Sequence, residues 1–161
     1  MNLVALACLS LLVTAREDVE IEYRLSLPRP STHLYHVSVA LQNIPGQSFD
    51  LIMPVWTPGS YKVRDYARFV QKMSAGEIPF EKVDKTTWRF HHKGTRLVTV
   101  QYRVFAHEMS VRHSHLDSEH GTVIGAATFF YVKGFQGHPL TLEVEAPPGW
   151  EVATGLPGIG E

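Results

Sequence analysis

From Val19 onward apolar and polar residues alternate along the chain with a period of two. In "VEIEYRLSL" the apolar set is Val19, Ile21, Tyr23, Leu25 and Leu27. Successive side chains of a strand point to opposite faces, so this pattern predicts a strand with one buried face. "YHVSVAL" repeats it with Tyr35, Val37, Val39 and Leu41, and "FDLIMPV" with Phe49, Leu51, Met53 and Val55. "TTWRFH", "LVTVQYRVF", "TFFYV" and "LTLEVEA" follow, with Pro-Gly, Lys-Gly or His-Gly signals between several of them. Roughly eight or nine short, turn-bounded strands are the cue for an all-β, antiparallel β-sandwich, here over residues 19–154.

One stretch departs from this rhythm. In "RDYARFVQKMSAG" the apolar residues Tyr66, Phe69, Val70 and Met73 fall at helical spacing and Gly76 stands where a helix would stop. A short helix near residues 65–75, crossing one edge of the sheets, is one expectation, and a twisted strand is the other. "TGLPGIGE" at the carboxyl end alternates Gly and Pro, so residues 155–161 are expected to begin a linker.

The amino terminus has a different character. "LVALACLSLLV", residues 3–13, is uncharged and apolar, yet shorter than the roughly 17–25 residues a membrane-spanning helix needs. It fits the apolar region of a signal peptide, with Val13 and Ala15 as the small-residue pattern before Arg16, although no Lys or Arg precedes it. Residues 1–15 are therefore expected to be a leader and the protein to be exported, periplasmic or secreted. If they are not a leader, the protein is cytoplasmic. Cys8 is the single cysteine, so removing the leader leaves a domain without disulfides or cysteine-bound zinc.

Totals narrow the field further. The chain has 161 residues, enough for one domain with a real core. The formal net charge of -1, with no basic block, argues against a nucleic-acid partner. Several catalytic signatures are missing. "HEMSV", residues 107–111, has Val111 where H-E-x-x-H requires its second histidine. His91 and His92 are adjacent and would point to opposite faces of a strand. Ser60 in "PGSY" lacks the strand-to-helix elbow of a serine nucleophile. No glycine-rich phosphate loop is present.

Two stretches retain chemical interest. "HSHLDSEH" packs His113, His115, Asp117 and His120 into eight positions, a spacing that suits zinc or copper ligation with Asp117 as ligand or supporting acceptor. The alternative is a polar connection that tolerates histidines. "PVWTPGSYKVRDYARFV" interleaves Trp56, Tyr61, Tyr66 and Phe69 with Arg64 and Arg68. It reads either as a ligand groove with aromatic walls and guanidinium donors or as ordinary core aromatics beside paired arginines.

"VWTPGSYKVRDYARFVQ", "TTWRF", "VRHSHLD" and "PPGWEVATGLP" together resemble the amino-terminal domain of the glycyl aminopeptidase family of zinc metallopeptidases, from about Tyr23 to Leu156. The resemblance implies a β-rich supporting domain, followed by a thermolysin-like catalytic domain with H-E-x-x-H and often by a PDZ-like domain. It implies zinc in that catalytic domain, peptide substrates, and removal of small amino-terminal residues such as glycine or alanine. None of the family's catalytic residues lies within these 161 positions, so this domain is expected to be inactive alone. Val111, Arg112, Leu116 and Asp117 match fixed positions of the family pattern, whereas His113 and His115 fall on open ones. Ile124-Gly125 stands where the family has Asn-Gly. The resemblance makes Tyr61, Arg64, Arg112 and Asp117 the residues expected to face substrate or the catalytic domain, with Asp117 able to receive a substrate ammonium. Two other readings of the residues are a freestanding module binding a peptide or glycan through the aromatic-arginine stretch, and a metal-binding protein using His113, His115 and His120.

Overall fold

A computed structural model of the protein describes residues 18–159; the leader expected at residues 1–15 lies outside them. Among the described residues twelve strands run in chain order: β1 (Glu20–Ser26), β2 (Leu34–Gln42), β3 (Phe49–Ile52), β4 (Val70–Ser74), β5 (Phe80–Lys82), β6 (Thr87–Phe90), β7 (Leu97–Phe105), β8 (His107–Ser110), β9 (His113–Leu116), β10 (Gly121–Thr122), β11 (Tyr131–Val132) and β12 (Thr141–Glu145). One short α-helix, α1 (Gly125–Thr128), and 3-10 turns at Pro30–Thr32 and Tyr66–Phe69 join them. The strands form a five-stranded sheet in the order β12-β1-β2-β7-β4, a four-stranded sheet β11-β3-β6-β5 and a three-stranded ribbon β10-β9-β8. All pairings are antiparallel except β1 with β12. This is the all-β sandwich the alternation predicts.

The period-two pattern works because the registers line it up. Tyr23 pairs with Val39 and Val39 with Val100, while Leu25 pairs with Val37 and Val37 with Tyr102. Every one of these side chains is buried, so three strands present one continuous apolar face. The four-stranded sheet answers with Phe49, Leu51, Trp88 and Phe90. Phe130 joins the two layers, its ring edge-on to Trp88 at 5.0 Å and to Tyr102 at 4.8 Å. Two of the buried tyrosine hydroxyls are satisfied by backbone: Tyr23 Oη donates to the Phe130 carbonyl at 2.7 Å and Tyr102 Oη to that of Thr128 at 3.1 Å. Burial pushes the Tyr23 phenol up to about 12.

The stretch with helical spacing resolves into both expected forms in sequence. Tyr66–Phe69 makes a single 3-10 turn, and β4 follows at once. Lys72 adopts a positive φ of 52°, and the β4–β7 register shifts between Gln71 and Ser74. The extra residue of that bulge brings Val70 and Met73, three apart, into partial burial against the core. A bulged strand thereby imitates a helix in its pattern. "TFFYV" differs too: its strand is confined to Tyr131–Val132 and is preceded by α1. Residues 151–154 carry no strand or helix.

Candidate functional site

The segment that contains the histidines is a ribbon growing out of the five-stranded sheet. Past β7 the chain continues through buried Ala106, whose N–H donates to the His33 carbonyl and whose carbonyl accepts from the Leu116 N–H at 2.7 Å. That exchange moves the chain from the β2–β7 ladder into the β8–β9 pair. β9 then turns into β10 through "DSEH". Asp117 builds the turn: its Oδ1 accepts the N–H groups of Glu119 at 2.8 Å and His120 at 2.9 Å, and its own N–H donates to the His120 carbonyl. Such side-chain-to-backbone bonding is why aspartate favours turn starts.

On this frame His115, Asp117 and His120 come together. His115 Nε2 lies 3.1 Å from Asp117 Oδ2, and His120 Nδ1 lies 3.3 Å from Asp117 Oδ1. One donor atom from each of the three lies within 4.8 Å of the others. The His120 and Glu119 amides, in that order, and then His115 hold the Asp117 carboxyl well below the usual carboxylate range. His115 is buried, and its Nδ1 has no hydrogen-bond partner among the described residues. The Tyr35 hydroxyl donates to the His115 carbonyl at 2.7 Å and fixes the backbone beneath the ring. Burial, and secondarily the charge of Asp117, push that phenol upward.

His113 does not join them. Its ring stands edge-on to Tyr66 and Phe69, each at 5.7 Å, and its Nδ1 faces Ser110 Oγ at 3.1 Å and Glu108 at 3.2 Å. The grouping of His113 with His115 and His120 expected from an even extended chain is thus divided. The register shift between His107 and Ser110 breaks the regular pairing opposite this stretch. Two other histidines approach instead. His107 stacks near His115 at 6.0 Å, and His33 lies 3.8 Å from His107, with its Nδ1 2.6 Å from the Leu116 carbonyl. The β2–β7 pairing places His33 there, a juxtaposition with no local sequence signal. His107 was visible only as part of the failed "HEMSV" motif.

The remaining candidates are scattered over a second surface and the ribbon tip. Tyr61 is fully exposed, and Trp56, half exposed, donates from its indole N–H to the Ser60 carbonyl. Arg64 is partly buried, its backbone N–H on the Val55 carbonyl and its Nε without a partner among the described residues. Arg68 pairs with Glu108 at 3.2 Å and tethers this loop to the ribbon. Arg112 is exposed at the β8–β9 turn, its N–H on Ser110 Oγ. Of the "PVWTPGSYKVRDYARFV" aromatics, Tyr66 is core while Trp56 and Tyr61 are surface. At Ile124-Gly125, the departure from the family's Asn-Gly, Ile124 donates its N–H to Ser114 Oγ at 2.9 Å and precedes α1.

Comparison with known proteins adds what these contacts cannot. No curated protein matches the chain. A solved structure does, the crystal structure of an aminopeptidase N family protein from Idiomarina loihiensis, with 28% identity and a TM-score of 0.73. The similarity covers 80% of this chain and 22% of that one, so the chain spans a minor part of its structural relative's length. A family model, Peptidase M61 N-terminal domain, matches residues 22–161, running from β1 through all later strands. By that match the chain belongs to the Peptidase M61 N-terminal domain family.

Proposed function

We propose that this is the non-catalytic amino-terminal β domain of an exported zinc aminopeptidase that removes small residues, glycine and alanine, from peptide amino termini. The family match over residues 22–161 carries the reading. Its support is that 161 positions hold no H-E-x-x-H, while the described residues are organised around one apolar core. The zinc belongs to a catalytic domain downstream, where it would polarise the scissile carbonyl and activate water. The partners are that catalytic domain and the peptide substrate. Tyr61, Arg64, Arg112 and Asp117 are the proposed facing residues. Tyr61 and Arg112 are the most available for contact because their side chains are exposed, whereas Asp117 already holds its own turn. Among the described residues no helix is long and apolar enough to cross a membrane.

The test uses the complete natural protein that carries this domain. It is expected to hydrolyse glycyl and alanyl arylamides and to lose that activity on treatment with a zinc chelator, regaining it with added zinc. Full activity in the chelator, or preference for large amino-terminal residues, would contradict the proposal.

A further inference from the structure

Independently of that reading, we propose that His115, Asp117 and His120 form a binding site for a first-row transition-metal cation, with zinc as the reference ion. Two imidazoles and a carboxylate are a donor set suited to zinc and to its cobalt, nickel and copper neighbours, not to magnesium or calcium, which prefer oxygen. Three protein ligands leave a fourth position for solvent or for a group from outside the domain.

The spacing fits. Metal–ligand bonds of about 2.0–2.2 Å in a tetrahedron set neighbouring donors about 3.3–3.5 Å apart. His115 Nε2 lies 3.1 Å from Asp117 Oδ2 and His120 Nδ1 lies 3.3 Å from Asp117 Oδ1, so each imidazole stands beside a different oxygen of the one carboxylate. All three donors fall within 4.8 Å of one another. The residual widening is within the reach of His120, whose side chain is half exposed and can rotate. That exposure also opens a path for the ion, while His115 closes the inner side.

The site is also held in place by its surroundings. The Glu119 and His120 amides orient the carboxylate of Asp117 from one oxygen and leave the other toward His115. Tyr35 locks the backbone carbonyl of His115. The His115 ring is buried, at 6% exposure, and so holds Nε2, the nitrogen that faces Asp117, in a fixed place. His113 is excluded from the ligand set because Glu108, Ser110 and the two aromatics already occupy its ring.

The 161-residue chain, stripped of metal with a chelator, would be titrated with cobalt(II) and the visible absorption of a low-symmetry nitrogen–oxygen site followed. Absorption should saturate at one equivalent, fade when zinc is added, and be matched by a zinc-dependent rise in melting temperature, since an ion that binds only the folded state stabilises it. His120→Ala alters an exposed ring and Asp117→Asn keeps an acceptor for the turn. Each should weaken binding by at least about tenfold, the least expected when groups supporting a metal are removed. His113→Ala should bind as the parent does. No saturable one-to-one uptake by the parent chain overturns the proposal, as does unchanged affinity in His120→Ala, or equal loss in His113→Ala.

Discussion

The β1–β2–β7 face and the β8–β9–β10 ribbon adjoin one another, yet they are held by different forces. In the first, every second residue is apolar and buried, and registered pairs such as Leu25, Val37 and Tyr102 form one surface. In the ribbon, β8 is exposed along its whole length, and only Ser114, His115 and Leu116 of β9 are fully buried. Its order comes from directed polar contacts: Asp117 on two amides, Tyr35 on a carbonyl, and Ser114 between Ile124 and Thr128. Apolar packing is tolerant of sequence and strong in sum. Polar networks are specific and fail one contact at a time. Directed polar contacts are therefore concentrated in the ribbon and apolar packing in the sheets.

That division can be tested by substitutions ranked by expected cost. Phe130→Ala removes the ring between Trp88 and Tyr102 and should lower unfolding free energy by about 3–5 kcal/mol in urea denaturation. A cost near zero would mean the two sheets are not joined there. Gly121→Ala comes next. A Cβ at Gly121 would lie 2.6 Å from the Tyr35 hydroxyl and 3.2 Å from Leu116 Cδ1, both buried, so about 1–3 kcal/mol is expected. It would show how tightly the ribbon rests on the sheet.

Asp50→Asn tests an ion pair on the outer face of the four-stranded sheet. Buried Asp50 accepts from Arg89 Nε at 2.7 Å and Nη2 at 2.9 Å, across a register pair of β3 and β6. Arg89 is two-fifths exposed, so solvent screening reduces the expected cost at neutral pH to about 1–2 kcal/mol. The Arg89 hydrogen bonds hold the Asp50 carboxyl below its ordinary value. Its contribution is therefore complete above the unfolded-state pKa of about 4 and disappears as pH falls through the lower folded value. The difference between Asp50→Asn and parent should shrink accordingly in denaturation curves taken down the acid range. The smallest effect belongs to His120→Ala in metal-free protein, within about 0.5 kcal/mol of the parent because the ring is half exposed. A large loss without metal would make His120 a structural residue of the ribbon.

Legibility in the sequence follows the same division. β1, β2 and β7 are visible because long alternation survives intact when one face is buried and the other wet. β4 is concealed by the Lys72 bulge, which replaces spacing of two with spacing of three. α1 is concealed by the aromatics after it, since Phe129 and Phe130 read as strand although Phe130 is an inter-sheet plug. In the ribbon, the closeness of His113, His115, Asp117 and His120 is apparent, but which rings converge is not. That depends on a bulge in β8 and on the Asp117 turn. His33 and His107 meet only through the long-range β2–β7 pairing. The resemblance read from the sequence rests on a different set, the Trp-Thr-Pro-Gly-Ser-Tyr stretch and the Val111, Arg112, Leu116 and Asp117 positions.

The most direct measurement is a hydrolysis assay of the 161-residue chain alone, supplied with zinc and a glycyl arylamide, beside the complete protein at equal molar concentration. A supporting domain predicts turnover by the complete protein and none above buffer by the 161-residue chain. Turnover by the isolated chain that Asp117→Asn or His120→Ala abolishes would contradict that role and place peptidase chemistry in the ribbon itself.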